Sequence, residues 1–444
     1  MGTFLASIFP MPKSWNGYDQ QHGNLKNLKR LLLQPFFWAG LCFLVYILIQ
    51  YFNPSIVQVF GEKSWWVERM TPPLGPNLPS SVKADYETMN ALRTFVIQAS
   101  AISLACGILV GIQRRKSALI ILWSFVISGV TMAFVAILQK LSGADKLLWV
   151  VNVLNENPWG TFAYRNQGAA FLILVFLITG LLYFFYARRS TIKMGQAGPH
   201  LLLFFFVVII FYSIWLALSR GGIIFGTLLL IVFCALALVK KLKAISSINA
   251  LFATVALLVV LITSFSFLIS EFSDWEELNI RKADLQREVS NITNYSRFLS
   301  TKATFEMAKD NIVYGWGGGS FRYIFPIYQI KYDSLWYSPK YKQRPKEGRK
   351  IYNYAHNDWV QFLAEYGLVG CIFVLGMFFC LIWKLVKISL ISLTAGFYSS
   401  FGIALIFIHN FLDFIFSCPA YWYAFWASLF LVFKLFYFEK RNKE

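Results

Sequence analysis

The chain is 444 residues long, 57% hydrophobic and 14% charged, with a mean hydropathy of +0.55, which excludes an ordinary soluble globular protein. Its formal charge of +19, from 41 Lys and Arg against 22 Asp and Glu, fits the basic cytoplasmic loops of a membrane protein better than nucleic-acid binding. The six cysteines, at 42, 106, 234, 371, 380 and 418, lie in or at the edge of apolar runs with no Cys-x-x-Cys spacing, so neither a disulfide framework nor a zinc site is supported.

Lys13, Lys26, Lys29 and Arg30 make the opening segment basic. The apolar run after it is long enough to remain as a span, so no cleavable signal peptide is expected. Spans are expected at 32–52, 94–112, 118–138, 168–187, 201–219, 221–239, 249–270, 366–383, 390–411 and 419–437. Most carry no formal charge, as a bilayer demands when a central Asp, Lys or Arg costs about 2.5–3.5 kcal/mol. Ser219–Gly222 reads as a very tight hairpin between the fifth and sixth spans.

These runs predict an all-α integral membrane protein of about ten transmembrane helices. A cytoplasmic N-terminal segment (1–31) leads into spans one to seven (32–270). A large, partly helical external loop (271–365) then precedes spans eight to ten (366–437) and a cytoplasmic tail (438–444). The short loops fix the orientation: Arg114-Arg115-Lys116, Arg188-Arg189, Lys240-Lys241, Lys384 with Lys387 and Lys440-Arg441 all fall on one side. By the positive-inside rule that side is cytoplasmic. The opposite side receives Asn53–Arg93 with its Trp65-Trp66 pair, Gln139–Gln167, and the large loop. No internal repeat is visible, which weakens an inverted-repeat transporter reading.

Polar and ionisable residues gather at the external boundary. Ser219-Arg220-Gly221-Gly222 puts a guanidinium at headgroup level, suited to bidentate phosphate contact or to simple snorkelling. Arg297 begins a helix-like stretch in the large loop. Gly315-Trp316-Gly317-Gly318-Gly319-Ser320-Phe321 lacks the ending of a nucleotide loop and reads as a turn that permits close backbone packing. His356 opens a helical segment in which Asn357, Gln361 and Glu365 share a stripe. It is a candidate general base, or equally a capping or packing residue. Arg165-Asn166 and His409 with Asp413 lie on the same side, as functional groups or interface anchors. The basic run from Lys340 to Lys350 is a solvated stretch or faces anionic headgroups.

The order of these motifs resembles the O-antigen ligase/polymerase superfamily. It runs from Gly160-Thr161-Phe162 with Arg165-Asn166, through Ser219-Arg220-Gly221-Gly222, Arg297 and the glycine turn, to Ala355-His356-Asn357 with Glu365-Tyr366-Gly367, and ends at His409–Asp413 with Pro419-Ala420. The resemblance implies a metal-independent glycosyltransferase without cofactors, using a polyprenyl-diphosphate-linked glycan as donor on the periplasmic face of a bacterial inner membrane. It also implies that Arg220 and Arg297 hold the diphosphate and that His356 deprotonates the acceptor hydroxyl. Arg165, Asn166, Asn357, Glu365, His409 and Asp413 are further candidates for substrate contact. The acceptor is a lipid A–core saccharide, a growing glycan or a protein hydroxyl, making the chain a ligase, a polymerase or a protein O-glycosyltransferase. Ten spans are fewer than is common among the ligases. A lipid-linked glycan flippase is the alternative from another class, disfavoured because the ionisable groups avoid mid-membrane.

Overall fold

The computed structural model describes residues 20–62, 64–144, 146–153, 158–192, 198–242, 296–336, 350–389 and 393–441, with Asn279 and Gln286 as isolated positions. Among the described residues, eight helices are long and apolar enough to cross a membrane. A ninth, Thr394–His409, is apolar but shorter. The fold is therefore that of a helical, multi-pass membrane protein. The expected span at 249–270 lies outside the described residues, as does nearly all of the basic run 340–350.

The chain divides into two compact units. The first comprises Met1–Leu122, Ile292–Ile388 and Ile408–Glu444. It contains α1 (Gln20–Leu32), α2 (Pro35–Phe52), a three-stranded sheet of β1 (Pro54–Phe60), β2 (Trp65–Arg69) and β3 (Ser81–Lys83), and α3 (Ala91–Gly111). The helix α4 (Arg115–Leu141) begins here and runs on into the second unit. The second unit, Trp123–Asn291 with Ser389–Phe407, holds the rest of α4, then α5 (Arg165–Ile192), α6 (Pro199–Leu216), α7 (Arg220–Leu242) and most of a helix, Leu393–His409. The first unit also contains α8 (Ser296–Asp310), α9 (Phe321–Gln329), α10 (Asp333–Trp336) and α11 (Asp358–Ser389); α12 is the helix Leu393–His409, and α13 (Pro419–Arg441) follows in the first unit.

Local chemistry explains the helix starts. Proline stands in the first turn of α2 and α6, where its missing N–H costs nothing. Asn90 caps α3, its Oδ1 accepting from Arg93 N at 2.9 Å. In the first unit α2, α3 and α13 pack along their lengths: Trp422 Nε1 donates to Gln98 Oε1 at 3.0 Å, and Phe36 meets Trp426 and Phe430 edge to face at 5.3 and 4.7 Å.

The segment Asn53–Arg93, expected on the external side with no secondary structure assigned to it, carries a small sheet. Its strands are ordered β2-β1-β3, with β1–β2 antiparallel (Ile56 opposite Arg69, Phe60 opposite Trp65) and β1–β3 parallel. The inward residues Ile56 and Val82 join a core with Leu299, Met307, Phe321 and Phe325, so this sheet and the described part of the large loop form one layer beside the spans. Trp65 packs edge to face on Tyr323 at 5.8 Å, while Trp66 is exposed.

The second unit is centred on α5, most of whose residues are buried. Close crossings rest on small residues. A Cβ on Gly222 of α7 would come within 2.7 Å of the Ala169 Cβ of α5. The join between α6 and α7 is as tight as expected: Leu218 is left-handed (φ 51°) and Ser219 Oγ accepts from Gly222 N at 3.2 Å, capping α7.

Candidate active site

The helix α11 starts at Asp358, eight residues before the expected span, because it is two helices joined at a break. Gly367 has φ 61° and ψ −170°, which no helix tolerates. The backbone groups freed there are taken up by the glycine turn. Leu368 N donates to Ile312 O at 2.8 Å, Trp316 N to Ala364 O at 2.9 Å and Gly317 N to Glu365 O at 2.8 Å. Space is so short that a Cβ on Gly315 would lie 2.5 Å from the Glu365 carbonyl carbon. From α2, Tyr46 Oη donates to Tyr314 O at 2.6 Å and Tyr366 O at 2.8 Å, and Gln50 reaches Tyr314 O and Glu365 O at 3.1 and 3.3 Å. The glycine turn is thus a docking element with a fixed partner.

Asn357 caps α11, its Oδ1 accepting from Val360 N at 3.2 Å. The next residue, Asp358, is buried and fastens a second segment to this helix start. Its two carboxylate oxygens accept from Phe416 N at 2.6 Å and Ser417 Oγ at 2.8 Å, and its own N–H donates to Asn410 O at 3.0 Å. That latch holds the turn after α12 against residue 356. His356 is itself left-handed (φ 58°), a conformation that a non-glycine residue keeps only when its surroundings impose it. Here Ala355 is held from both sides: its N–H donates to Gln361 Oε1 at 3.0 Å and its carbonyl accepts from Ser300 Oγ at 3.1 Å.

The result is a three-residue constellation. His356 Nδ1 lies 3.4 Å from Asp413 Oδ1, and Arg297 Nη1, in the first turn of α8, lies 3.7 Å from Asp413 Oδ2. Arg297 also donates to Leu412 O at 2.9 Å. The imidazole meets Phe414 edge to face at 4.7 Å, and Phe414 stacks on Tyr354 at 4.7 Å. The Asp413 side chain is only 4% exposed, against 24% for His356 and 34% for Arg297. Burial pushes the Asp413 carboxyl up, but His356, Arg297 and His409 outweigh it and hold it down at about 2. With Nδ1 facing that carboxylate, Nε2 is the nitrogen left to accept a proton. The 3.4 Å separation is longer than a good hydrogen bond, as is common before substrate binds.

Glu365 is buried and accepts from Phe321 N at 3.3 Å and Gln361 Nε2 at 3.2 Å, a structural job beside any substrate contact. It also lines a cavity of about 160 Å³ with Arg322, Gln98, Asn353 and Tyr354. Polar side chains around aromatic faces are surfaces that a saccharide can use. The structure therefore brings Arg297, His356, Asn357, Glu365, His409 and Asp413 together in the first unit. Arg165, Asn166 and Arg220 lie in the second, where Arg165 begins α5 and Arg220 begins α7. There, Arg165 lines a cavity of about 270 Å³ with Lys140, Trp159 and the 216–218 turn, two residues before Arg220 in the sequence. Asn166 Nδ2 donates to Tyr164 Oη at 2.7 Å.

Sequence reasoning passed over Asp358, Tyr46 and Gln50. The available signal for the last two was polar groups in an otherwise apolar span. Asp358 carries no signal of its own in the sequence, since an acidic residue is common in a first helical turn.

A search of curated proteins finds no match to this chain. A family model described as O-Antigen ligase matches residues 205–375, a stretch that takes in Arg220, Arg297, His356, Asn357 and Glu365. Glycosyl transfer of the ligase or polymerase type is the activity this match supports. The order of motifs and the family match agree: residues 205–375 of this multi-pass membrane protein are similar to the O-antigen ligase family, which supports the O-antigen ligase/polymerase superfamily.

Proposed function

We propose that the protein transfers a glycan from a polyprenyl-diphosphate carrier to an acceptor hydroxyl, in the manner of an O-antigen ligase, at the periplasmic face of a bacterial inner membrane. The observation that carries this reading is the Asp413 carboxylate shared between His356 Nδ1 and Arg297. An imidazole oriented by a buried carboxylate, with its second nitrogen open, is built to take a proton from a weak nucleophile such as a sugar hydroxyl.

In the proposed step His356 Nε2 accepts the acceptor's hydroxyl proton while the oxygen attacks the anomeric carbon. The bond from that carbon to the diphosphate oxygen breaks, and the diphosphate leaves with the electron pair. Asp413 orients the ring and offsets the positive charge it gains. The exposed face of Arg297 is the group assigned to the departing diphosphate, whose charge grows as the bond breaks, so the contact is stronger in the transition state. By resemblance Arg220 has the same assignment. No step needs a metal ion.

The test is to incubate purified protein with a defined lipid-linked donor and separate acceptors: a lipid A–core saccharide, a non-reducing glycan end and a serine-containing protein. A new glycosidic bond to the first supports the ligase. A bond to either of the others moves the assignment to polymerase or protein O-glycosyltransferase. Movement of donor across a bilayer with no bond to any acceptor is the flippase outcome and contradicts the proposal.

A further inference from the structure

The end of the first unit remote from His356 concentrates positive charge on a second cavity. Arg30 lies in the last turn of α1, Lys384 in the C-terminal half of α11 and Lys434 in the C-terminal half of α13, and all three line a cavity of about 330 Å³. Its remaining walls are largely apolar, with Leu109 from α3 and Phe433 and Phe438 from α13. Lys434 is only 9% exposed, its ammonium 6.0 Å from the Tyr437 ring centre and 5.8 Å from that of Phe438. Lys384 donates to Gln34 Oε1, a neutral partner.

Among the described residues none of these three cations has a carboxylate partner. Glu439, on the same helix as Lys434, pairs instead with Arg115 at 3.1 Å. Taking an ammonium out of water without a counter-charge costs several kcal/mol, and like charges converging on one space add repulsion. An anion in the cavity relieves both. The surroundings say where that anion comes from. Trp38 and Trp383 are exposed at this same end, and Lys387 sits over the Trp383 ring at 4.6 Å. Exposed tryptophan with lysine beside it marks the headgroup level of a bilayer. A cationic recess among spans at that level matches a lipid phosphate, whose acyl chains stay in the membrane.

We propose that this cavity binds the phosphate of an anionic phospholipid, with Lys434, Lys384 and Arg30 as its counter-charges. It is separate from the glycosyl-transfer site and independent of that assignment.

Full-length protein in detergent is given phosphatidylglycerol, phosphatidylethanolamine or inorganic phosphate, with lipid retention read by native mass spectrometry and thermal unfolding in parallel. Phosphatidylglycerol is expected to be retained and to raise the unfolding temperature; phosphatidylethanolamine is not. Lys384→Gln and Arg30→Gln should each weaken retention by about fivefold, roughly the contribution of one basic residue at an anionic surface. Lys116→Gln, a basic residue outside the cavity, should leave it unchanged. Lys434→Gln should weaken retention most, but its burial puts folding at risk, so the two more exposed variants carry the test. Equal retention by wild type, Lys384→Gln and Arg30→Gln would overturn the site. Displacement of the lipid by millimolar inorganic phosphate, with the same thermal shift, would overturn the lipid as its source.

Discussion

His356 Nδ1 and Asp413 Oδ1 face each other at 3.4 Å, although they belong to the start of α11 and the turn between α12 and α13. Neither element carries its side chain to the other unaided; Asp358 fastens the turn to the helix through Phe416 N and Ser417 Oγ. The buried carboxylate of Asp413 then serves two partners at once, Arg297 and the candidate base. A near-isosteric Asp413→Asn keeps the shape and removes the charge. Transfer should fall by roughly 10²–10⁴-fold, the usual worth of general-base catalysis, with donor binding much less affected. Activity assays with a donor-binding measurement separate the two effects.

Asp413 also has a pH signature. Its carboxyl is held at about 2, below its ordinary value near 4, so the stabilisation from its partners is complete above that ordinary value. It is lost progressively as pH falls from that value toward about 2. Thermal unfolding should show no contribution from this residue between pH 7 and its ordinary value near 4 and a progressive loss below that, and Asp413→Asn should remove that part of the acid destabilisation.

Asp358→Ala should misplace Asp413 without touching it. The Phe416 N–H and the Ser417 hydroxyl lose their acceptor, the first of them in a buried position, at about 1–3 kcal/mol for each buried group left unsatisfied. A lowered unfolding temperature together with a large activity loss is expected. Normal activity at a lowered unfolding temperature would show that the latch does not position the site.

Gly367→Ala tests the break in α11. The left-handed backbone disfavours a side chain, and a Cβ there would collide with the Val313 carbonyl oxygen. The variant should give a reduced yield of folded protein, and the protein that does fold should lose protection of the 312–317 backbone amides, read by hydrogen exchange.

Much of this was legible in the sequence, for definite physical reasons. Long apolar runs gave the spans, since burial in lipid requires them, and the structure ends α2, α3 and α13 within a few residues of the expected limits. Arg297 and His356 stood out within the large loop, the second as the opening of a helical segment, and Asp413 at the end of a span. Their meeting was not legible, because it depends on the Asp358 latch, a contact between segments distant in sequence. The sheet at β1–β3 was missed since its strands are short and interrupted by a proline-rich stretch; its core face is made by Ile56 and Val82, with Trp65 and Val67 packed against the same core. The break at Gly367 was hidden inside a continuous apolar run, where a glycine reads as a packing residue.

The diphosphate assignment predicts a difference between arginine and lysine. Arg297→Ala and Arg220→Ala should each abolish measurable transfer with folded protein retained. Arg220→Lys should also fail substantially, since an ammonium cannot reproduce the bidentate guanidinium fork. Wild-type rates in Arg297→Ala would remove that residue from the site.

The most direct measurement is glycosidic bond formation by His356→Ala, run beside binding of the lipid-linked donor in the same preparation. Loss of transfer by roughly 10²–10⁴-fold with donor binding retained is the expected result, because the base is gone while the arginines remain. Transfer at the wild-type rate by His356→Ala would contradict the assignment of His356 as the base.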